Sequence, residues 1–279
     1  MLGDKMKKIF SCKNILLFLF IITILVFIII SPMIYGNDNK LYFSKFKTGM
    51  LSASAIILCM TVICLFLKDM SPNYQIYSDK NALLSFIPIL IIYISVIYIF
   101  TYRISRNLGF LVNTAIQVFL VCCILIMYLF HLKFSIFKWS VTFKELLVII
   151  LAFLCLLFPR LIIQGKSALK YYSSFNKNDL AYLYYSLRVF IYPAFNEEVI
   201  FRGLLITGLK GYGFEYWKIN IVQSVIFGLL HFGVYKGLGF IAIVLMGSQI
   251  IMGFILGIIY YKTKSLTPCI LFHALIDIV

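Results

Sequence analysis

Long apolar runs separated by short polar segments make up most of the chain. The run Ile15 to Ile30 contains no charged residue, and with the residues up to Tyr35 it is long enough to cross a hydrocarbon core of about 30 Å as a helix. Backbone groups in lipid must be hydrogen-bonded within their own segment, so runs of this kind predict helices. There are nine such segments, at residues 14–35, 49–67, 82–101, 108–130, 145–164, 180–209, 217–233, 238–261 and 266–279. The pattern predicts an all-α fold, a polytopic transmembrane bundle with about eight to nine membrane segments.

The polar content of the segments changes along the chain. The first four segments contain almost no ionisable residue within the apolar run, whereas charges enter the segments from residue 180 onward. Intramembrane ionisable residues usually mark functional sites. We therefore predict N-terminal accessory transmembrane helices at residues 1–144 and a functional core at residues 145–279.

The basic charge balance changes the expected partners. The chain is 63% hydrophobic and 13% charged, with a formal charge of +15, which in a soluble protein would suggest nucleic acid. Here the lysines lie mostly between apolar runs, where they orient spans and meet anionic headgroups. We expect a lipid bilayer as partner and no nucleic acid. The basic stretch around Lys7 precedes a run longer than the apolar part of a signal peptide, so we interpret it as a retained first span with a cytoplasmic N-terminus.

The sixth segment carries charges that are costly in a membrane. A carboxylate at bilayer depth costs at least about 2.5–3.5 kcal/mol, and Glu197 and Glu198 are adjacent. Glu198 and Arg202 are four residues apart, so they share a helix face and can neutralise each other. Glu197 points about 100° away on the helix, toward another part of the bundle. Pro193, one turn earlier, removes a helix hydrogen bond and predicts a kink.

Two of the three histidines lie in later apolar segments at comparable depth. Segments six and seven are joined by the short loop 210–216, and Glu197 and His231 both lie about 20 Å from that face at 1.5 Å per residue. His273 enters from the same face and lies about 10 Å deep by the same rule. Tilt and kinks allow Glu197, His231 and His273 to converge in one cavity. Each alone has a structural interpretation; together they favour a functional site.

Three motifs carry a family resemblance. In chain order they are Glu197-Glu198-x-x-x-Arg202, Phe227-x-x-x-His231 and His273-x-x-x-Asp277. The flanking residues agree: Phe201, Gly203, Gly228, Leu229, Gly253, Gly257, Tyr260, Thr263, Ser265 and Leu266. Over about residues 180–279 the chain resembles the CPBP family, the CAAX-processing and bacteriocin-processing intramembrane proteases also called Abi. Two positions depart from the family pattern: Asp277 stands where Asn is more common, and Lys264 where Gly is common.

The resemblance implies a peptidase that acts within the membrane. It assigns catalysis to Glu197, His231, His273 and Asp277, with Glu198, Arg202 and Phe227 as structural support. Glu197 would act as the general base toward a water, and the histidines with Asp277 would hold that water and stabilise the oxyanion. A zinc enzyme with Glu197, His231 and His273 as ligands is the alternative. We favour the metal-free glutamate mechanism without a cofactor, because no HExxH-like pair of ligands lies on one helix.

The expected substrate is a membrane-associated or amphipathic peptide, or a membrane protein. The Ile-, Lys- and Asn-rich composition is typical of an AT-rich bacterium, which favours peptide maturation or bacteriocin self-immunity over CAAX processing and places the chain in a bacterial cytoplasmic membrane. The alternative is a non-catalytic membrane regulator that binds a sensor kinase or another envelope or signalling protein. A proton-coupled transporter is disfavoured, because corresponding halves with paired broken segments are not seen.

Overall fold

The computed structural model describes residues 39–67, 75–102, 119, 121–165, 178–235 and 241–278. Every regular element in these ranges is helical, which confirms the predicted all-α fold. The helices are α1 (Asn39–Phe66), α2 (Lys80–Tyr102), α3 (Phe143–Gln164), α4 (Asp179–Val189), α5 (Asn196–Glu198), α6 (Ile206–Gly211), α7 (Tyr216–Leu230), α8 (Phe232–Tyr235), α9 (Ile241–Thr263) and α10 (Leu266–Ile278). Residues 121–129 are also helical, and a 3₁₀ turn spans Phe134–Ile136.

Most described helices agree with the apolar segments to within a few residues. The exception is α1, which begins at Asn39, ten residues before the predicted segment 49–67. Its first ten residues are polar or mixed, and hydropathy detects the apolar part of a helix rather than the whole helix. The predicted segment 14–35 lies outside the described residues, as does most of segment 108–130.

Two described helical stretches are long and apolar enough to cross a membrane, Phe143–Ile162 and Leu245–Thr263. The shorter apolar helices are Ser54–Phe66, Lys80–Val96, Tyr216–Leu230 and Leu266–Ile278. Many large apolar side chains are exposed on these helices, as expected where the surrounding medium is lipid. The count of eight to nine membrane segments stays a prediction.

The helices form two compact units. One contains α1 and α3, which pack against each other. Its α3 begins with a capping box: Glu145 N–H donates to Thr142 Oγ1 at 3.2 Å, and Thr142 N–H donates to the Glu145 carboxylate at 2.7 Å. This reciprocal cap satisfies two of the free donors at the helix start. It also explains why the Glu145 carboxylate can be buried at the start of an apolar helix, because the carboxylate accepts a hydrogen bond there.

The second unit contains α2, residues 121–141 and the chain from Tyr184 to Asp277. Within it α7 and α9 lie side by side. A methyl group at Gly257 would lie 1.7 Å from Asn220 Oδ1, so a side chain at this position would displace the Asn220 carboxamide, which donates to the Phe254 carbonyl of α9. All the candidate site residues belong to this unit. The predicted domain boundary at residues 144 and 145 stays a prediction.

The sixth predicted segment is one interrupted helix. Tyr192 leaves the helical conformation, with φ −142° and ψ 119°, and lies immediately before Pro193, which disfavours a helical backbone at the preceding residue. The kink predicted at Pro193 is therefore present. The kinked stretch Phe190–Phe195 precedes the short α5, and a π-helical stretch, Val199–Leu205, follows it. Such stretches are rare and are frequent near functional sites.

Candidate active site

The Glu198 carboxylate accepts hydrogen bonds from two buried side chains, Arg202 and His273. Arg202 Nη1 donates to Glu198 Oε1 at 2.9 Å, and His273 Nδ1–H donates to the same oxygen at 2.8 Å. Glu198 and Arg202 are fully buried and His273 nearly so. The pair that helix spacing predicted between Glu198 and Arg202 is thus extended to a triad that fixes one face of the His273 ring. A buried ion pair of this kind depends on good geometry and additional hydrogen bonds to offset desolvation.

Glu197 lies on the other side of the same histidine. Its Oε1 accepts a hydrogen bond from Tyr93 Oη at 2.5 Å. Its Oε2 lies 3.8 Å from His273 Nε2 and has no hydrogen-bond partner among the described residues. A gap of this size is too long for a direct hydrogen bond. Glu197 is therefore a buried carboxylate with one oxygen held in place and the other turned toward the histidine.

Asp277 completes the surroundings of His273. Its Oδ2 lies 3.4 Å from His273 Nε2, and its side chain is 35% exposed, much more than the two glutamates. The His273 ring thus lies among three carboxylates, one of which, Glu198, also pairs with Arg202. Because Asp277 follows His273 by four residues on α10, both side chains lie on one face of that helix.

Phe227 occupies the centre of the ring contacts around the site. Its ring lies 4.8 Å from the Arg202 guanidinium carbon and packs edge-on against Phe201 at 5.2 Å and against His273 at 5.9 Å. The guanidinium over its face is a favourable cation–π arrangement. Phe227 thus contacts both Arg202 and His273, and its supporting role stays a prediction.

His231 contacts this cluster only through Phe227. It lies at the end of α7, where its Nδ1–H donates to the Phe227 carbonyl at 2.8 Å and its ring lies 4.9 Å from the Phe227 ring. Within the described ranges it forms no ion pair with Glu197 or Glu198. The hydrogen bond fixes its tautomer and leaves Nε2 directed away from the α7 backbone. The structure thus brings together Glu197, His273 and Asp277 and leaves His231 one aromatic ring away.

Hydrogen bonds between α7 and α9 hold the Arg202 side chain. Arg202 Nη2 donates to Gly253 O at 2.9 Å, and Gln223 Nε2 donates to the same carbonyl at 2.8 Å. Asn220 Nδ2 donates to Phe254 O at 3.2 Å in the next turn. These hydrogen bonds inside an apolar bundle are of the kind by which polar side chains connect neighbouring membrane helices. It fixes Arg202, and through Arg202 it fixes Glu198.

The start of α10 is tied to the segment before α3. Ser265 Oγ donates to Ser140 O at 2.5 Å, and Leu266 N–H donates to Lys138 O at 3.0 Å. Lys264 precedes this anchor with φ 55°, a left-handed conformation that favours glycine. This explains why the family commonly has Gly there. The anchor sets the position of α10, and therefore of His273 two turns later.

The residues do not form the three-ligand set that the zinc alternative requires. In the described part of the chain, no group of three His, Cys, Asp or Glu side chains is arranged to hold a metal ion. The set Glu197, His231 and His273 is not assembled, because His231 meets the other two through the Phe227 ring, which contacts both histidine rings. We derive no step through a metal, and the metal-free interpretation stays a prediction.

Tyr93 was not predicted from the sequence. It lies in the third apolar segment, within the region assigned as accessory, yet it donates to Glu197 and is itself buried. The chain contains 19 tyrosines, many of them in apolar runs, so its position carried no distinguishing signal. A buried Tyr hydroxyl needs a partner, but the sequence does not indicate which one.

The family comparison covers the same residues as this site. Residues 179–279 match the model of a family described as type II CAAX prenyl endopeptidase, Rce1-like. Comparisons with curated proteins and with solved structures give no match. The matched family is one of membrane-embedded endopeptidases, and the matched range contains all three motifs and every predicted site residue. The match confirms that residues 179–279 resemble the CPBP family of intramembrane proteases, in its Rce1-like form.

Proposed function

We propose that this chain is an intramembrane endopeptidase that uses Glu197 to activate a water molecule. The observation that carries the proposal is the free oxygen of Glu197: Oε2 is buried, lacks a hydrogen-bond partner in the described chain and lies 3.8 Å from His273 Nε2. One water can bridge a separation of this kind and hydrogen-bond to both groups. The family match to endopeptidases supports this assignment.

The chemistry follows from these positions. Glu197 Oε2 takes a proton from the bridging water, whose oxygen attacks the carbonyl carbon of the peptide bond. The carbonyl oxygen becomes an oxyanion, which His273 Nε2 stabilises when it carries a proton. Glu197 then gives its proton to the departing nitrogen, the C–N bond breaks, and an acid and an amine result. Tyr93 holds Oε1 of Glu197, so Oε2 remains the oxygen that meets the water.

The supporting residues act through His273. Glu198 accepts from His273 Nδ1–H, which sets the ring orientation and directs Nε2 toward Glu197 and Asp277. An ionised Asp277 is an acceptor only, so it cannot donate to an oxyanion as an Asn at this place could. Its role in this chain is to hold a protonated Nε2. His231 contacts Phe227 and takes no part in these steps.

The proposed substrates are membrane-associated or amphipathic peptides, cleaved in peptide maturation or bacteriocin self-immunity in a bacterial cytoplasmic membrane. The Rce1-like family is named for cleavage of prenylated CAAX proteins, and a prenylated peptide is the second candidate substrate. Burial of Glu197 and His273 within an apolar bundle supports a substrate that reaches the site from lipid. No cofactor is required by this scheme.

The test compares the wild type with Glu197→Gln in the same purified, lipid-reconstituted form. Glutamine keeps the shape but cannot take a proton, so cleavage of candidate peptides, followed by mass spectrometry, should fall by about 10²- to 10⁴-fold. Glu215→Gln is the matched control, because Glu215 is an exposed glutamate that pairs with Lys218; it should leave cleavage unchanged. Chelator treatment should not reduce the wild-type rate.

Two results would contradict the proposal. Equal cleavage by wild type and Glu197→Gln would remove Glu197 from the reaction. A cellular phenotype that Glu197→Gln fully retains would favour the regulator, which binds a sensor kinase or envelope enzyme without cleaving it. Loss of activity on chelation, with recovery on addition of zinc, would support the metal mechanism instead.

A further inference from the structure

A cavity of about 270 Å³ lies beside the candidate active site, in the same compact unit. Its walls are almost entirely apolar: Ile89 of α2, Phe119, Cys123 and Phe134 contribute aliphatic, aromatic and thiol surface. The polar lining residue is Asn196, the residue directly before Glu197. For scale, a cavity of about 150 Å³ with apolar walls can take up a benzene molecule, so this one can hold a larger apolar group.

The Asn196 side chain has unused hydrogen-bonding capacity. It is 2% exposed, and neither Oδ1 nor Nδ2 has a hydrogen-bond partner within the part of the chain that the structure describes. A buried carboxamide without partners is costly, and such groups in folded proteins call for an explanation. The carboxamide offers one acceptor and two donors, which match the N–H and C=O of a peptide backbone.

The cavity wall is connected to the catalytic carboxylate. The Phe119 ring, which lines the cavity, packs against the Tyr93 ring at a centroid distance of 5.4 Å. Tyr93 in turn donates to Glu197. Asn196 and Glu197 are also consecutive residues of α5. The cavity is thus one residue from Glu197 along α5 and one ring contact from Tyr93.

We propose that the cavity is a side-chain subsite of the protease. It takes a large apolar side chain of the substrate, such as Phe, Leu or Met, from a residue next to the scissile bond. Asn196 hydrogen-bonds to the backbone amide of that segment. The proposal rests on the proposed endopeptidase function and adds the substrate class at this site. The volume of the cavity is sufficient for one large side chain, and the Asn196 carboxamide can hydrogen-bond to one peptide group of the substrate.

The first experiment fills the cavity. Cys123→Phe adds an aromatic ring to a lining position, whereas Cys122→Phe makes the same change one residue earlier, at a position that does not line the cavity. Wild type and both variants are reconstituted in lipid vesicles and given a peptide library that varies each residue around the cleavage site. Wild type and Cys122→Phe should prefer a large apolar residue at one position. Cys123→Phe should lose that preference by about tenfold in kcat/KM, with Ala favoured instead, since the pocket is filled.

The second experiment removes the amide. Asn196→Leu keeps the size of the side chain but cannot hydrogen-bond. It should lower kcat/KM about tenfold, the value of one hydrogen bond, while the melting temperature in detergent stays the same or rises. A purely structural role for Asn196 predicts the reverse, a lower melting temperature, so the two readouts separate the roles.

The outcomes distinguish this proposal from the proposed function. If the wild type cleaves no peptide faster than Glu197→Gln, the endopeptidase function itself is wrong. If cleavage depends on Glu197 but the profile is flat, or Cys122→Phe and Cys123→Phe behave alike, the subsite is wrong. A lipid chain that native mass spectrometry finds retained by wild type and lost from Cys123→Phe would likewise overturn it, because the cavity would then hold lipid rather than substrate.

Discussion

At the scale of single residues, the two adjacent glutamates of the site differ in their hydrogen-bond partners. Glu198 binds Arg202 and His273 through the same oxygen, Oε1, and its Oε2 has no hydrogen-bond partner in the described chain. Glu197 differs in its surroundings: Tyr93 donates to its Oε1, and its Oε2, also without a partner in the described chain, lies 3.8 Å from His273 Nε2. The two neighbouring carboxylates thus have different environments, and Glu197 is the one whose unpartnered oxygen lies near the Nε2 atom of His273.

Tyr93→Phe tests the residue that positions the base. The phenyl ring keeps the contacts with Phe119 and Tyr192, so the fold should be unaffected. The hydroxyl that orients Glu197 is lost, and kcat should fall by about tenfold, as expected for one hydrogen bond to a charged group. Peptide cleavage and the melting temperature are measured on the same preparation.

Tyr212→Phe is the control for Tyr93→Phe. Tyr212 lies near an exposed end of the second unit, with its ring below Lys80, and its hydroxyl has no link to the site. It should show wild-type kcat. Combining Tyr93→Phe with Glu197→Gln should add little to the effect of Glu197→Gln alone, because the hydroxyl acts through that carboxylate. Fully additive effects would mean that Tyr93 acts elsewhere.

The individual site residues differ in how far the sequence could predict them. Glu197, His273 and Asp277 were predictable because ionisable groups in apolar segments are costly and because three motifs agree with one family. Tyr93 was not, since the pairing of α2 with the core is a tertiary fact without a local signal. His231 was predicted to converge with Glu197 and His273, but it lies at the turn that ends α7, against Phe227. Its depth in the membrane stays a prediction, whereas the direction of its side chain depends on that turn, which the helical rise does not predict.

At the scale of helices, the apolar runs predicted where most of the described helices lie. They predicted only some of the places where a helix is interrupted. The kink at Tyr192 followed from Pro193, because proline constrains its predecessor through steric clash. The π-helical stretch after α5 was not predicted, because the extra residue in such a turn is set by packing rather than by composition. The close helix pairs were indicated only by glycines, of which Gly208 makes the closest backbone approach.

Gly208→Ala is expected to destabilise the pairing of α6 with α2. A methyl group at Gly208 would lie 2.4 Å from Leu83 N and 2.7 Å from Leu83 Cα. These are backbone atoms that cannot rotate away, so the helices must separate. We expect a loss of about 1–3 kcal/mol in the free energy of unfolding, as for overpacking in a dense core. Thermal unfolding in detergent, followed by circular dichroism, measures it.

Gly247→Ala gives the matched control for this prediction. Gly247 lies inside α9, and a methyl group there meets no atom within 4 Å in the described chain. Its replacement should leave the melting temperature unchanged or raise it, because Ala is the better helix former by up to about 1 kcal/mol. Equal destabilisation by both substitutions would show that the contact at Leu83 does not limit stability.

At the scale of the whole molecule, the family match and the site have different extents. The match covers residues 179–279, but the compact unit that contains the site also includes α2 and residues 121–141. Tyr93 from α2 donates to Glu197, and Phe119 and Phe134 line the neighbouring cavity. Residues outside the matched range thus contact the candidate site directly.

This arrangement predicts that the two parts of the chain are needed together. A fragment of residues 142–279 retains Glu197 and His273 but lacks Tyr93 and five cavity residues, so it should not cleave a peptide that the full chain cleaves. Co-expression with residues 1–141 should restore cleavage, because the contacts between α2 and the later helices are non-covalent. The same pair carrying Tyr93→Phe should recover only as far as full-length Tyr93→Phe does, which separates correct assembly from the role of the hydroxyl. Full activity of residues 142–279 alone would show that the matched segment is sufficient and that α2 is dispensable for the reaction.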